Sequence, residues 1–105
     1  MHAVRIGASA ERDLLLGFEF YESRSDGLGQ YFLDSLFADI DALALYAGMH
    51  PKPLAGLYRS LAKRFPFAVY YDFDGHTAVV LAVLDCRRNP RSIRGTLHAR
   101  RTARR

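Results

Sequence analysis

The chain of 105 residues has one cysteine and few acids beyond its midpoint. A lone Cys86 forms no intrachain bridge and offers no zinc spacing, so nothing in the composition points to an oxidising compartment. The longest apolar stretch, Thr77 to Leu84 with its threonine counted, is far shorter than the ~20 residues a bilayer-spanning helix requires. Behind Met1-His2-Ala3-Val4-Arg5 there is no secretory apolar region, and a cytoplasmic protein without membrane contact is the expectation. His2, His50, His76 and His98 fall in separate segments with no i, i+4 pairing, so no metal site and no cofactor are expected. There is no internal repeat, and no low-complexity run apart from the arginine-rich end.

What is present suits one soluble domain. Half the residues are apolar or aromatic and a quarter are charged, which is too hydrophobic for a disordered chain. At this length folding buries roughly two-thirds of the unfolded chain's surface, enough for a core. The net charge of +4 hides a division. Residues 1–51 carry three arginines against eight acids, a net of −5, whereas residues 52–105 carry twelve bases against Asp72, Asp74 and Asp85, a net of +9. Such polarity directs the basic half towards polyanions or an acidic protein.

Periodicity gives the order of elements. His2 to Ile6 reads as a short strand. From Ser9, an expected N-cap, the period changes: Leu14, Phe18 and Tyr21 follow at spacings of four and three, predicting an amphipathic helix to about Ser23 with Glu11 and Asp13 at the positive end of its dipole. The turn residues Ser23 to Gly27 separate it from a second helix, Leu28 to Ala47, with Phe32, Leu36, Ile40, Leu43 and Ala47 on one stripe. Gly48 to Pro53 cannot continue a helix and reads as a linker. Strands are expected at Leu57–Leu61, Phe67–Phe73 and Thr77 to about Cys86, with Phe65, Phe67, Val69, Val79, Leu81 and Val83 in the core. Asp74-Gly75 predicts a two-residue type I′ hairpin turn with positive φ at both centres. The expected fold is therefore α+β, ordered β-α-α-β-β-β, with a helical hairpin packed on a mostly antiparallel four-stranded sheet. Residues 92–105 form a basic C-terminal tail that is helical, arm-like or disordered.

In this order the connection entering the third strand carries Lys63 and Arg64, and the fourth strand ends at Arg87 and Arg88. Antiparallel neighbours bring those points to the same end of the sheet.

The segments "AERDLLLGFEFYES", "GLGQYFLDSLFADIDAL" and "YRSLAKRFPFAVYYDFDGHTAVVLAVLDCRRNP" resemble the ParE/RelE superfamily, toxins of bacterial type II toxin-antitoxin systems also described as plasmid stabilisation proteins. The likeness covers roughly residues 3–91, and residues 1–91 are expected to be the toxin domain. Its most specific part is Arg-Phe-Pro-Phe, a following Tyr-Tyr, and a strand closing on Cys-Arg-Arg-Asn-Pro. The resemblance implies growth inhibition, either by blocking DNA gyrase (the ParE branch) or by cutting mRNA on the ribosome (the RelE branch). It also implies a cognate antitoxin, acidic where it wraps the toxin, in a hetero-oligomer.

Chemistry separates the branches. Cleavage through a 2′-hydroxyl needs a base, cations for the phosphorane and an acid for the leaving oxygen. Candidate catalytic residues are Arg59, Lys63, Arg64, Asp85 and Arg88. Ribosome-dependent relatives often finish the last strand with a His-Tyr pair or use lysines near the second strand; here the stretch reads Leu84-Asp85-Cys86-Arg87-Arg88, where neighbouring arginines are expected to hold Asp85 ionised. An inhibitor that binds gyrase needs no such groups. Its candidate target-binding residues are Lys63, Arg64, Arg87, Arg88 and Arg91. A simple structural role for Arg59 is pairing with Glu22 or Asp34 on a helix. A third reading is a basic nucleic-acid-binding module without toxicity.

Overall fold

The computed structural model describes residues 1–103. Strand β1 (Ala3–Ile6) is followed by α1 (Ala8–Glu22), α2 (Leu28–Asp41), the short α3 (Leu43–Tyr46), then β2 (Tyr58–Leu61), β3 (Phe67–Phe73), β4 (Thr77–Asp85) and α4 (Pro90–Ala103). The sheet order is β1-β4-β3-β2, with β1 parallel to β4 and the remaining pairs antiparallel. This is the α+β arrangement expected, and α4 adds a layer to it.

Helix α1 starts one residue before the expected cap. Gly7 continues the parallel ladder by donating its N–H to the Val80 carbonyl at 2.9 Å, while its own carbonyl accepts the Glu11 N–H at 3.0 Å. Strand therefore passes into helix with no side-chain cap, and Ser9 lies inside α1. At the far end, the Glu22 carboxylate accepts the N–H groups of Gly27 and Gly29, both at 2.9 Å, which ties α2 to the end of α1. The hairpin closes tightly because of glycine: a Cβ on Gly17 would lie 2.5 Å from two ring carbons of Phe32. The expected stripe Phe32, Leu36, Ile40, Leu43 and Ala47 is buried in full. The expected single helix tightens at Ala42, whose carbonyl accepts from both Leu45 and Tyr46, each at 3.0 Å, and this separates α3 from α2.

The β3–β4 turn differs from the type I′ expectation. Gly75 has a φ of 96°, but Asp74 does not take a positive φ; its Oδ1 accepts the N–H groups of His76 and Thr77, each at 2.8 Å. The aspartate stabilises the turn by side-chain capping, which removes any need for a left-handed conformation at that residue.

Both sheet faces are covered. Val69, Tyr71, Ala78, Val80 and Val83 pack with α1 and α2, while Ala68, Tyr70, Leu81, Ala82 and Leu84 pack with Ile93 and Leu97 of α4. A bulge between the Tyr71–Val80 and Tyr70–Ala82 pairs leaves Leu81 as the extra residue, so the alternation of β4 changes phase there. Burial on two faces is why Thr77 to Leu84 reads as an almost unbroken apolar run. Asn89 accepts the Arg91 N–H at 2.8 Å and Pro90 opens the helix, so the expected tail folds back as α4 as far as Ala103, and its residues 104–105 lie outside the described residues.

Beyond Val80, β4 has no β1 residue beside it. Side chains take the place of a strand: Asp13 Oδ2 accepts the Val83 N–H at 2.9 Å, and Arg100 Nη1 donates to the Leu81 carbonyl at 3.1 Å. Asp13 and Arg100 also join each other, at 2.5 Å and 2.9 Å, fastening α4 to α1 across that edge.

Candidate functional site

The β2–β3 loop and the end of β4 converge. Phe67 pairs with Asp85, and the Cys86 N–H donates to the Pro66 carbonyl at 2.8 Å, so Lys63 and Arg64 share one end of the sheet with Arg87 and Arg88. The loop is pinned by the Lys63 N–H on Asp39 at 3.2 Å. Lys63, Arg64 and Arg91, in the first turn of α4, are exposed. Arg24 reaches the same region, with its guanidinium 4.5 Å from the centre of the Phe20 ring. Tyr21 links the two regions, packing on Phe65 at 4.8 Å between ring centres and sensing the charges of both Arg87 and Arg24.

The predicted cations divide by what holds them. Arg87 forms a two-pronged ion pair with Asp85, Nε to Oδ1 at 3.0 Å and Nη2 to Oδ2 at 2.7 Å. Arg88 donates to Ser92 Oγ at 2.8 Å and to Thr96 Oγ1 at 3.2 Å, securing the start of α4. Among the described residues the ion pairs are Arg87–Asp85 and Arg100–Asp13. Lys63, Arg64, Arg88 and Arg91 thus keep their charge without a carboxylate partner among those residues.

Arg59 stands apart from this end group. It pairs in register with Tyr70, on the sheet face that α4 covers, and its buried Nε has no hydrogen-bond partner among the described residues. The expected pairing with Glu22 or Asp34 does not occur. Those acids belong to the hairpin on the opposite face, where Glu22 caps α2 and Asp34 accepts from Gln30 at 2.9 Å.

Asp85, Tyr21 and Cys86 near these cations, and Tyr70 beside Arg59, have shifted pKa values. The Arg87 hydrogen bond is the main cause holding the Asp85 carboxyl below the usual range. Burial pushes the Tyr21 and Tyr70 hydroxyls up, against the opposing charges of Arg87 and Arg59 respectively. Burial, with help from Asp85, also pushes up the Cys86 thiol. Among the described residues no cluster of three His, Cys, Asp or Glu could hold a metal ion.

Sequence reasoning places an apolar groove for an amphipathic antitoxin helix near the helical hairpin but does not name its residues. Leu15 and Phe37 are 55% and 41% exposed, and with Ile6, Ala8, Leu14 and Leu33 they line a groove of about 510 Å³ bordered by Glu11 and Arg12. The signal lay in α1 itself, whose Leu14-Leu15-Leu16 run is wider than one buried stripe needs.

No helix among the described residues is long and apolar enough to cross a membrane. No protein-family model and no curated protein matches the sequence. Among solved structures, a chain of the chromosomal ParDE TA system from P. aeruginosa is similar, with a TM-score of 0.69 and 17% identity over 79% of this chain and 94% of that one. At that identity the likeness establishes architecture: the chain has the fold of a component of a ParDE toxin-antitoxin system.

Proposed function

We propose that the chain is a ParE-like toxin of a type II toxin-antitoxin module, which inhibits DNA gyrase by binding and is neutralised by a cognate antitoxin. The carrying observation is the gathering of Lys63, Arg64, Arg88 and Arg91 at one end of the sheet, with no carboxylate partner among the described residues. A surface of that kind grips anionic groups. The likeness to a ParDE component supports the same assignment.

Lys63, Arg64, Arg88 and Arg91 are the residues that engage the target. Arg87, neutralised by Asp85, contributes shape and hydrogen bonding more than net charge. The antitoxin lays an amphipathic helix in the α1–α2 groove and directs acids at the basic half. The test is gyrase supercoiling with the purified chain at micromolar concentration: inhibition is expected, relieved by the antitoxin and weakened in the Lys63→Gln/Arg64→Gln variant. Unchanged supercoiling, together with codon-phased mRNA 5′ ends after induction, would replace this reading with the endoribonuclease one, for which Arg59 beside Tyr70 is the supporting feature.

A further inference from the structure

The cations of α4 are not all used at the basic end. Arg91, Arg94, His98 and Arg101 recur at spacings of three, four and three, which places them along one flank of the helix. Ile93 and Leu97 occupy the buried face, and Arg100 turns to Asp13. The guanidinium of Arg101 donates to the Ala55 carbonyl, so the flank looks towards the turn that leads into β2. Arg91, Arg94 and His98 are exposed, and neither ion pair among the described residues involves them.

Among the described residues no ion pair compensates Arg91, Arg94 or His98. No acid occurs between Asp41 and Asp72, so the turn and β2 supply none, and no acid follows Asp85. Packing of α4 does not require Arg91 or Arg94, whose side chains make no hydrogen bond or ion pair among the described residues.

We propose that this flank of α4 binds the phosphate backbone of duplex DNA. From Arg91 to Arg101 the flank extends roughly 15 Å along the helix axis. A duplex carries one phosphate charge per ~1.7 Å of its own axis, so several phosphates fall within reach of one stripe. A single strand is a poorer match, because tight binding of unpaired bases uses aromatic platforms and residues 86–103 contain no Phe, Tyr or Trp. Contacts of this type fix position and carry no sequence information. The inference is independent of the gyrase reading, since the surface binds DNA with no enzyme present.

The experiment is fluorescence anisotropy of a labelled 20-base-pair duplex of arbitrary sequence, titrated with the full chain between about 50 and 200 mM salt. Wild-type affinity is expected to fall steeply with salt. Arg94→Gln is expected to reduce the slope of log K against log salt by about 1, and Arg91→Gln/Arg94→Gln by about 2, since each phosphate no longer neutralised removes roughly 0.9 from the slope. Both variants should melt like the wild type. The proposal is overturned if the wild type does not bind at about 50 mM salt, or if the α4 double variant keeps the full slope. Tighter binding of a single-stranded RNA of equal length would also overturn it in favour of an RNA partner. Because no gyrase is in the assay, its failure leaves the inhibitor reading standing, and loss of inhibition alone leaves this one standing.

Discussion

The carboxylate of Asp13 stands where a strand would have run. It accepts the Val83 N–H that β1 is too short to reach, and it neutralises Arg100, whose guanidinium serves the Leu81 carbonyl of the same edge. The pair is largely screened from water, with side-chain exposures of 22% for Arg100 and 9% for Asp13. Removing one partner leaves a charge with nothing to balance it, so Arg100→Met should destabilise the fold by about 3–5 kcal/mol in urea unfolding. Adding Asp13→Asn should recover part of that loss, because the amide oxygen still accepts from Val83 and no charge remains buried. Equal midpoints for the single and double variants would show that the two groups act separately. A second residue-scale contact involves a proton. Tyr71 is fully buried; its hydroxyl accepts the Gly48 N–H at 2.9 Å and meets His50 Nδ1 at 2.5 Å. Burial lowers the His50 pKa, so the folded state binds its proton less readily than the unfolded chain does. Stability from this group is complete above the ordinary value of about 6.5 and declines as pH falls from there through the folded-state pKa. Thermal midpoints measured from pH 7.5 down to 5 should show that decline in the wild type and a shallower one in His50→Gln.

At the scale of elements, two glycines test how the layers meet. Gly17→Ala drives a methyl into the Phe32 ring at the α1–α2 crossing and should cost about 1–3 kcal/mol. A methyl on Gly95 in α4 would meet nothing within 4 Å, so Gly95→Ala should stabilise by about 0.5–1 kcal/mol through helix propensity. Urea midpoints that moved in the same direction for both would contradict this packing. The same elements explain how much of the fold is legible in the sequence. Strands β3 and β4 are readable as apolar runs that meet at the Asp74-Gly75 turn, and the stripe from Phe32 to Ala47 because one helical period governs it. The bulge at Leu81 is not, since an uninterrupted apolar run has no alternation whose phase could be seen to change. Helix α4 is half hidden: Ile93 and Leu97 are only two apolar positions among many cations, and the Asn89-Pro90 start is the better signal. The basic end is legible because antiparallel pairing fixes which loop tips are neighbours. The ties of Arg87 and Arg88 are not, because strand parity stops predicting side-chain direction once the strand ends at Asp85.

For the whole molecule, the division between an acidic first half and a basic second half becomes a division between surfaces. The helical hairpin carries eight acids and an exposed apolar groove, whereas the sheet end and α4 carry unpaired cations. On the proposed reading, an antitoxin helix seated in the groove and a target held at the basic end have separate main contacts. Leu15→Asp/Phe37→Asp changes two exposed side chains of the groove, so the melting temperature should stay within a few degrees of wild type. Antitoxin affinity, measured by titration calorimetry, should fall by at least tenfold, because two apolar side chains no longer fill the interface and charges are desolvated in their place. Gyrase inhibition by the free variant should persist. Lys63→Gln/Arg64→Gln should give the reverse, weaker inhibition with the groove intact and antitoxin affinity reduced mainly at low salt, as expected for exposed charges that steer association. Loss of both activities in the groove variant, with its melting unchanged, would mean that one face performs both tasks and that the charge division does not separate them.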